Sequence, residues 1–343
     1  MRRIAVVLAA IGIWVSVGFA QSTPSGPYKI LRTARVGGTG GFDYVYADAI
    51  GRRLYIPRSG QGARVTVFNL DTLEPVGEIP NTNARGAAVD PKSGHGFSSS
   101  KPVAMWDTKT LALIKTIDVQ GNPDGILFDP FNQRVWVFSH SAPNATIIDA
   151  KDGSVVGTLD LGGAPEQAVT DGNGHLYVDI EDKDNVAVVD TKALQVTAHY
   201  DISDKAKVPA GLAFDPKNKI LFVGCRNTPT MVIMTTEGKI LTTLPIGTGV
   251  DGAVFNPATM ETFSSQGDGT LTVIREKGPT SFEVAQIVQT RVSGKTLTLD
   301  SKTNQIYVIA ADYGPPPTPP PAGGRAGRGV MIPDSFSILV VGK

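Results

Sequence analysis

Apolar and polar residues alternate in short runs through most of the chain, as in RLYIP, RVWVF, HLYVD and QIYVI. A period of two, enriched in Val, Ile, Tyr, Phe and Thr, predicts half-buried β-strands. Clusters such as PFNQ, DGNG and PKNK separate the runs and supply turn geometry. Helical periodicity is absent beyond the N-terminal segment, so the pattern predicts an all-β fold.

The strand pattern itself repeats. Aligned on the last residue before a turn, seven segments match: FDYVYAD (42–48), ARGAAVD (84–90), PDGILFD (123–129), PEQAVTD (165–171), PAGLAFD (209–215), VDGAVFN (250–256) and GKTLTLD (294–300). Their anchors, Asp48, Asp90, Asp129, Asp171, Asp215, Asn256 and Asp300, are spaced by 42, 39, 42, 44, 41 and 44 residues. A period of that size is the mark of propeller blades, one four-stranded sheet per repeat. The last repeat lacks a fourth strand, whereas YKILRTARV (28–36) precedes the first anchor with nothing to pair. The sequence therefore predicts a seven-bladed β-propeller over 28–343, closed by the N-terminal strand completing the last blade.

The strands LYV…NVAVVDTKALQV (176–196), the openings GNPDG and GGAPEQ, and the ending GPPPTPPP…MIPDSFSILVVGK resemble the YVTN-type seven-bladed propeller repeat of exported bacterial proteins. The resemblance spans residues 28–343, and its sixth unit, TFSSQGDGTLTVIREKGPTSFEV, departs from it by losing the Asp-Thr hairpin turn. It implies the fold and an exported or surface location. It implies no activity, because many members have none established.

The N-terminus agrees with export. Met1-Arg2-Arg3 precedes an apolar run over 4–19, and Gly18 and Ala20 are small residues placed for cleavage before Gln21. Residues 1–20 thus read as a signal peptide, 21–27 as a linker, and the mature protein as a periplasmic, secreted or surface-located monomer with no membrane span. An uncleaved anchor is the alternative, but the run is short for a span. With 32 basic and 32 acidic residues the chain has zero formal net charge, so no basic surface points to nucleic acid. Cys225, the single cysteine, ends a strand and reads as an inert buried thiol. No Cys/His cluster has zinc spacing, and no helix follows the glycine-rich GGTGG (37–41) to hold a phosphate.

Candidate chemistry lies at the channel. Gly86, Gly125, Gly211 and Gly252 share one slot four residues before their anchors, where converging inner strands need close approach. Tyr44, Gln167 and Thr296 break that rule. The preceding slot reads Asp43, Arg85, Asp124, Glu166, Ala210, Asp251 and Lys295, a charged ring of net negative balance around one mouth. His140, Glu181 and Arg226 share a slot just after the second strand and edge the same mouth. His95 and His175 fall at the opposite mouth and His199 on an outer strand.

Convergent charge at a channel end is a binding-site signal. A solvated rim whose charges merely pair between blades is the alternative. Two function classes follow. One is a non-enzymatic binding or scaffold protein for a small molecule, glycan or protein partner. The other is a lactonase-like hydrolase or lyase, with His140 as base, Glu181 orienting it and Arg226 holding an anion. No cofactor is expected. Nor is a metal, since the carboxylates are expected on separate blades of a wide opening with Arg85 and Lys295 between them. The Pro/Gly-rich loop 313–333, carrying Arg325 and Arg328, is expected to form a partial lid.

Overall fold

The computed structural model describes residues 26–316 and 329–343. The expected signal peptide, all but the end of the expected linker, and the span carrying Arg325 and Arg328, expected to form a lid, lie outside these residues. Those described form seven four-stranded antiparallel sheets around one axis, as the repeat period predicts. Blades 1 to 6 each use four consecutive strands. Their inner strands are Tyr46–Asp48, Ala87–Asp90, Pro123–Asp129, Pro165–Thr170, Lys207–Asp215 and Val250–Asn256. Among the described residues the one helical element is the turn Glu181–Lys183, and no helix is long and apolar enough to cross a membrane.

Blade 7 is composite. Thr296–Asp300, Gln305–Ala310 and Ser337–Gly342 come from the end of the chain, and Lys29–Arg35 supplies the outermost strand. Lys29 pairs with Gly342 and Arg35 with Ser337, in antiparallel register. Tyr28 sets the entry to this strand. Its backbone exchanges hydrogen bonds with the Gln286 amide at 2.9 and 2.7 Å, its ring meets Phe263 edge-on, and its hydroxyl donates to Glu261. The closing strand is thus pinned to blade 6 as well as paired within blade 7.

The anchors recur because each caps its own turn. Asp48 accepts from the amides of Ile50 and Gly51, Asp90 from Lys92 and Ser93, and Asp215 from Lys217 and Asn218. Such Asx turns satisfy amides that the strand ladder leaves open. Apolar faces then pack blade on blade. Trp136, Phe138 and Ile147 of blade 3 meet Leu176, Val178 and Ile180 of blade 4. Leu54 and Ile56 of blade 1 meet Tyr307, Ile309 and Ile338 of blade 7, so closure carries a core interface of its own.

The glycine slot is a contact between neighbouring inner strands. A Cβ at Gly125 would stand 2.9 Å from the carbonyl oxygen of Glu166, and one at Gly211 would stand 3.0 Å from the backbone of Gly252. At Gly86 and Gly252 it would lie 2.9 Å from Ile126 and Leu297. The blades therefore approach one another at distances only glycine permits.

Deleting residues 26–36 should leave Ser337–Gly342 as an open edge and remove the Tyr28 contacts. The expected loss is several kcal/mol, a fall in Tm of roughly 10 °C, with a tendency to aggregate. Thermal melting of the deletion against the chain beginning at Gln21 checks this; identical melting curves would show that the ring does not depend on the strand.

Candidate functional site

The inner strands enter the ring at one mouth, and the residue just before each glycine slot points its side chain there. The structure brings Asp43, Arg85, Asp124, His140, Glu166, Arg226, Asp251 and Lys295, together with Asn122, around a cavity of about 120 Å³. Glu181 joins through Arg226, whose Nη1 lies 2.8 Å from its Oε1. All nine side chains singled out in the sequence therefore belong to one cluster. The opening is narrower than expected. Close approach of the blades and mutual attraction draw the charges together, so residues on separate blades touch.

Arg85 joins Asp43 at 3.1 Å to Asp124 at 3.0 Å. Lys295 joins Asp43 at 3.1 Å to Asp251. Arg226 meets Glu166 at 3.4 Å, Glu181 at 2.8 Å and Asp251. Asp124, Glu166 and Asp251 are nearly buried, whereas Arg85 and His140 are the parts most open to solvent. Burial of this kind is tolerated only where each charge has a partner.

His140 does not pair with Glu181. Its Nε2 lies 3.2 Å from Asp124 of its own blade and 3.9 Å from Glu166. Glu181 is instead held by Arg226, which carries three carboxylates at once and so has no face left for an anionic substrate. The hydrogen bond to Asp124 raises the imidazole pKa, against the effect of burial. Burial, with a hydrogen bond to Glu181, pushes the Glu166 carboxyl up to about 8 despite Arg226. Near neutral pH burial therefore favours the protonated form of Glu166. Around it Asp43, Asp124, Glu181 and Asp251 face Arg85, Arg226, Lys295 and His140. A proton on Glu166 makes the ring less negative than the count of its carboxyl groups alone implies.

Three residues that replace glycine reach to other blades. The Tyr44 hydroxyl of blade 1 donates to Glu166 of blade 4 at 3.0 Å, and burial raises its pKa well above the usual range. Thr296 donates to the Asp43 carbonyl at 2.8 Å. The Gln167 amide of blade 4 donates to the Ala253 carbonyl at 2.9 Å and accepts from the amides of Leu212 and Ala253 at 2.9 and 3.0 Å. Sequence reasoning noted these exceptions without a role for them. A long polar side chain where its neighbours have none was the available signal. Asp179, two residues before Glu181, went unnoticed. It is wholly buried with neither carboxylate oxygen hydrogen-bonded, and burial pushes its carboxyl well above the usual range.

Against the expectation of no metal, ligand atoms of Asp124, His140 and Glu166 lie within 4.8 Å of one another, a donor set that suits a divalent cation. Each is already engaged: Asp124 by Arg85, Glu166 by Arg226 and Tyr44. A cation there would have to displace those contacts beside two guanidinium groups. Cys225 is buried, and burial raises its thiol above the reactive range.

No family model matches the chain, and no curated protein does. A solved structure described as the crystal structure of the mitotic checkpoint complex contains a chain that this one resembles in fold. The TM-score is 0.70 at 12% identity, covering 90% of this chain and 95% of that one. At that identity the likeness speaks for the propeller alone.

The cluster predicts a pH dependence of stability. Glu166 and His140 both have folded pKa values above their unfolded ones, so the folded chain holds the extra protons. Stability should decline as pH rises from about 5 to 8.5, and Glu166→Gln should flatten that slope. Thermal melts across this range decide it; a slope unchanged in the variant would show that Glu166 titrates normally.

Proposed function

We propose that this chain is an exported binding or scaffold propeller that engages its partner, a small molecule, a glycan or a protein, at the charged mouth. The carrying observation is the convergence of Asp124, Glu166 and Asp251, nearly buried, with Arg85, Arg226 and Lys295 around one small cavity. At about 120 Å³ the cavity admits a single polar or charged group, not a whole ligand of ordinary size. The reading is therefore of a larger partner that places one such group into the mouth, with exposed Arg85 and His140 meeting it first. The YVTN-type repeat resemblance and the apolar N-terminal segment support export to the periplasm or surface, and with it a bacterial source.

A hydrolase or lyase is the second reading, favoured by the 3.2 Å contact of His140 with Asp124, which has the geometry of a base and its orienting carboxylate. It stands behind the first because Arg226 is saturated and the cavity has no room for a substrate.

A thermal-shift screen with monosaccharides, lactones, alkylammonium and guanidinium compounds and divalent metals tests the proposal. A compound at a hundred times its Kd should stabilise the wild type by about 2.7 kcal/mol. Asp124→Asn and Asp251→Asn should each reduce the shift while the variants remain folded. Hits that shift both variants as much as the wild type would place binding elsewhere, and turnover of a lactone would favour the enzyme.

A further inference from the structure

The two ends of the channel have opposite chemistry. Moving from the charged mouth along the inner strands, the glycine slot comes next, and there Gln167 spans to Leu212 and Ala253. Beyond it a second cavity of about 530 Å³ opens toward the opposite mouth, with Gln167, Leu212 and Ala253 at its inner end. Six of the seven blades line it. Among its apolar side chains are Tyr46, Leu127, Val169, Phe214, Val254 and Leu299, one from each of these blades, and all six are only half-buried.

Several polar groups of this wall are committed within the protein. Thr170 donates to Asp129 at 2.9 Å, the Thr298 hydroxyl accepts from the Ala47 amide at 3.1 Å, and both ends of the Gln167 amide are bonded to backbone. Asp171 accepts from His175 through backbone and ring. Water in such a space finds few partners and is readily displaced. The volume falls in the range of small-molecule sites. Strands arranged around an axis make it round and wide, which suits a fused ring better than a linear chain. Its aromatic members, Tyr46, Phe214 and Phe255, offer faces and edges to such a ring.

We infer that the mouth opposite the charged cluster is a binding cup for an uncharged, planar, apolar molecule of one to three rings. Recognition is by shape and apolar contact, since apolar side chains dominate the wall and several of its polar groups bond within the protein. The site is independent of the charged mouth, from which the Gln167 amide separates it.

Fluorescence titration of the full chain with 2-naphthol tests this. Saturable one-to-one binding is expected. Val254→Glu and, separately, Leu127→Glu place a carboxylate at half-buried wall positions and should each weaken binding about tenfold or more, equivalent to about 1.4 kcal/mol. Asp124→Asn at the other mouth should leave it within about twofold. Circular dichroism and melting of each variant establish that it is folded, and two wall variants guard against one failing to fold. The inference is overturned if the wild type shows no saturable binding, if both folded wall variants bind 2-naphthol as the wild type does, or if Asp124→Asn abolishes binding.

Discussion

Everything in this molecule depends on how near seven inner strands can come to a common axis. At Gly125 and Gly211 the limit is set by the backbone of the next blade, about 3 Å from where a Cβ would stand. That approach does two things. It closes the bore at one level to all but a few side chains, and it brings groups on different blades within ion-pair reach. Arg226 of blade 5 touches Glu166 and Glu181 of blade 4 and Asp251 of blade 6 only because the axis is so tight. A wider ring would hold the same charges apart in water, where each pair contributes little.

The charged mouth is therefore a coupled object. Removing a cation leaves two or three carboxyl groups each short of one partner, and burial then favours their protonated forms, as it does at Glu166 already. A cluster whose charges are paired with one another discriminates at contact, where one bond must be exchanged for another. The cup at the opposite mouth is lined mainly by apolar side chains. One amide, fixed by three hydrogen bonds to backbone, keeps the ionic and apolar ends of the bore distinct.

The architecture was legible because it is written seven times. Anchors, glycine slot and charged slot each occur at a fixed offset, so register errors in one blade are exposed by the others. Membership of the charged mouth was legible for the same reason. Its bonding was not. Aligned slots made His140 and Glu181 look like partners, but Arg226 draws Glu181 to itself and His140 turns to Asp124 on its own blade. Nor could spacing reveal that Glu166 keeps its proton, since that follows from burial, which only packing decides. Gln167 was visible as a break in the glycine rule, yet its bonds to two other blades need the closed ring to exist. The apolar cup was hidden for a plainer reason: its six side chains belong to six ordinary strands, and each reads alone as core.

The composite seventh blade orders the chain in time as well as in space. Lys29–Arg35 has no partner until Ser337–Gly342 is available, some three hundred residues later. The entropic toll of joining segments so far apart grows only slowly with distance, yet the contact cannot precede synthesis of its second half. Blades 1 to 6 assemble from consecutive strands, and the first strand waits throughout. A product that stops early keeps an unpaired edge at its front, the kind of surface that chaperones and proteases engage. The seam is in effect a checkpoint, passed only by a chain whose synthesis has reached Ser337–Gly342.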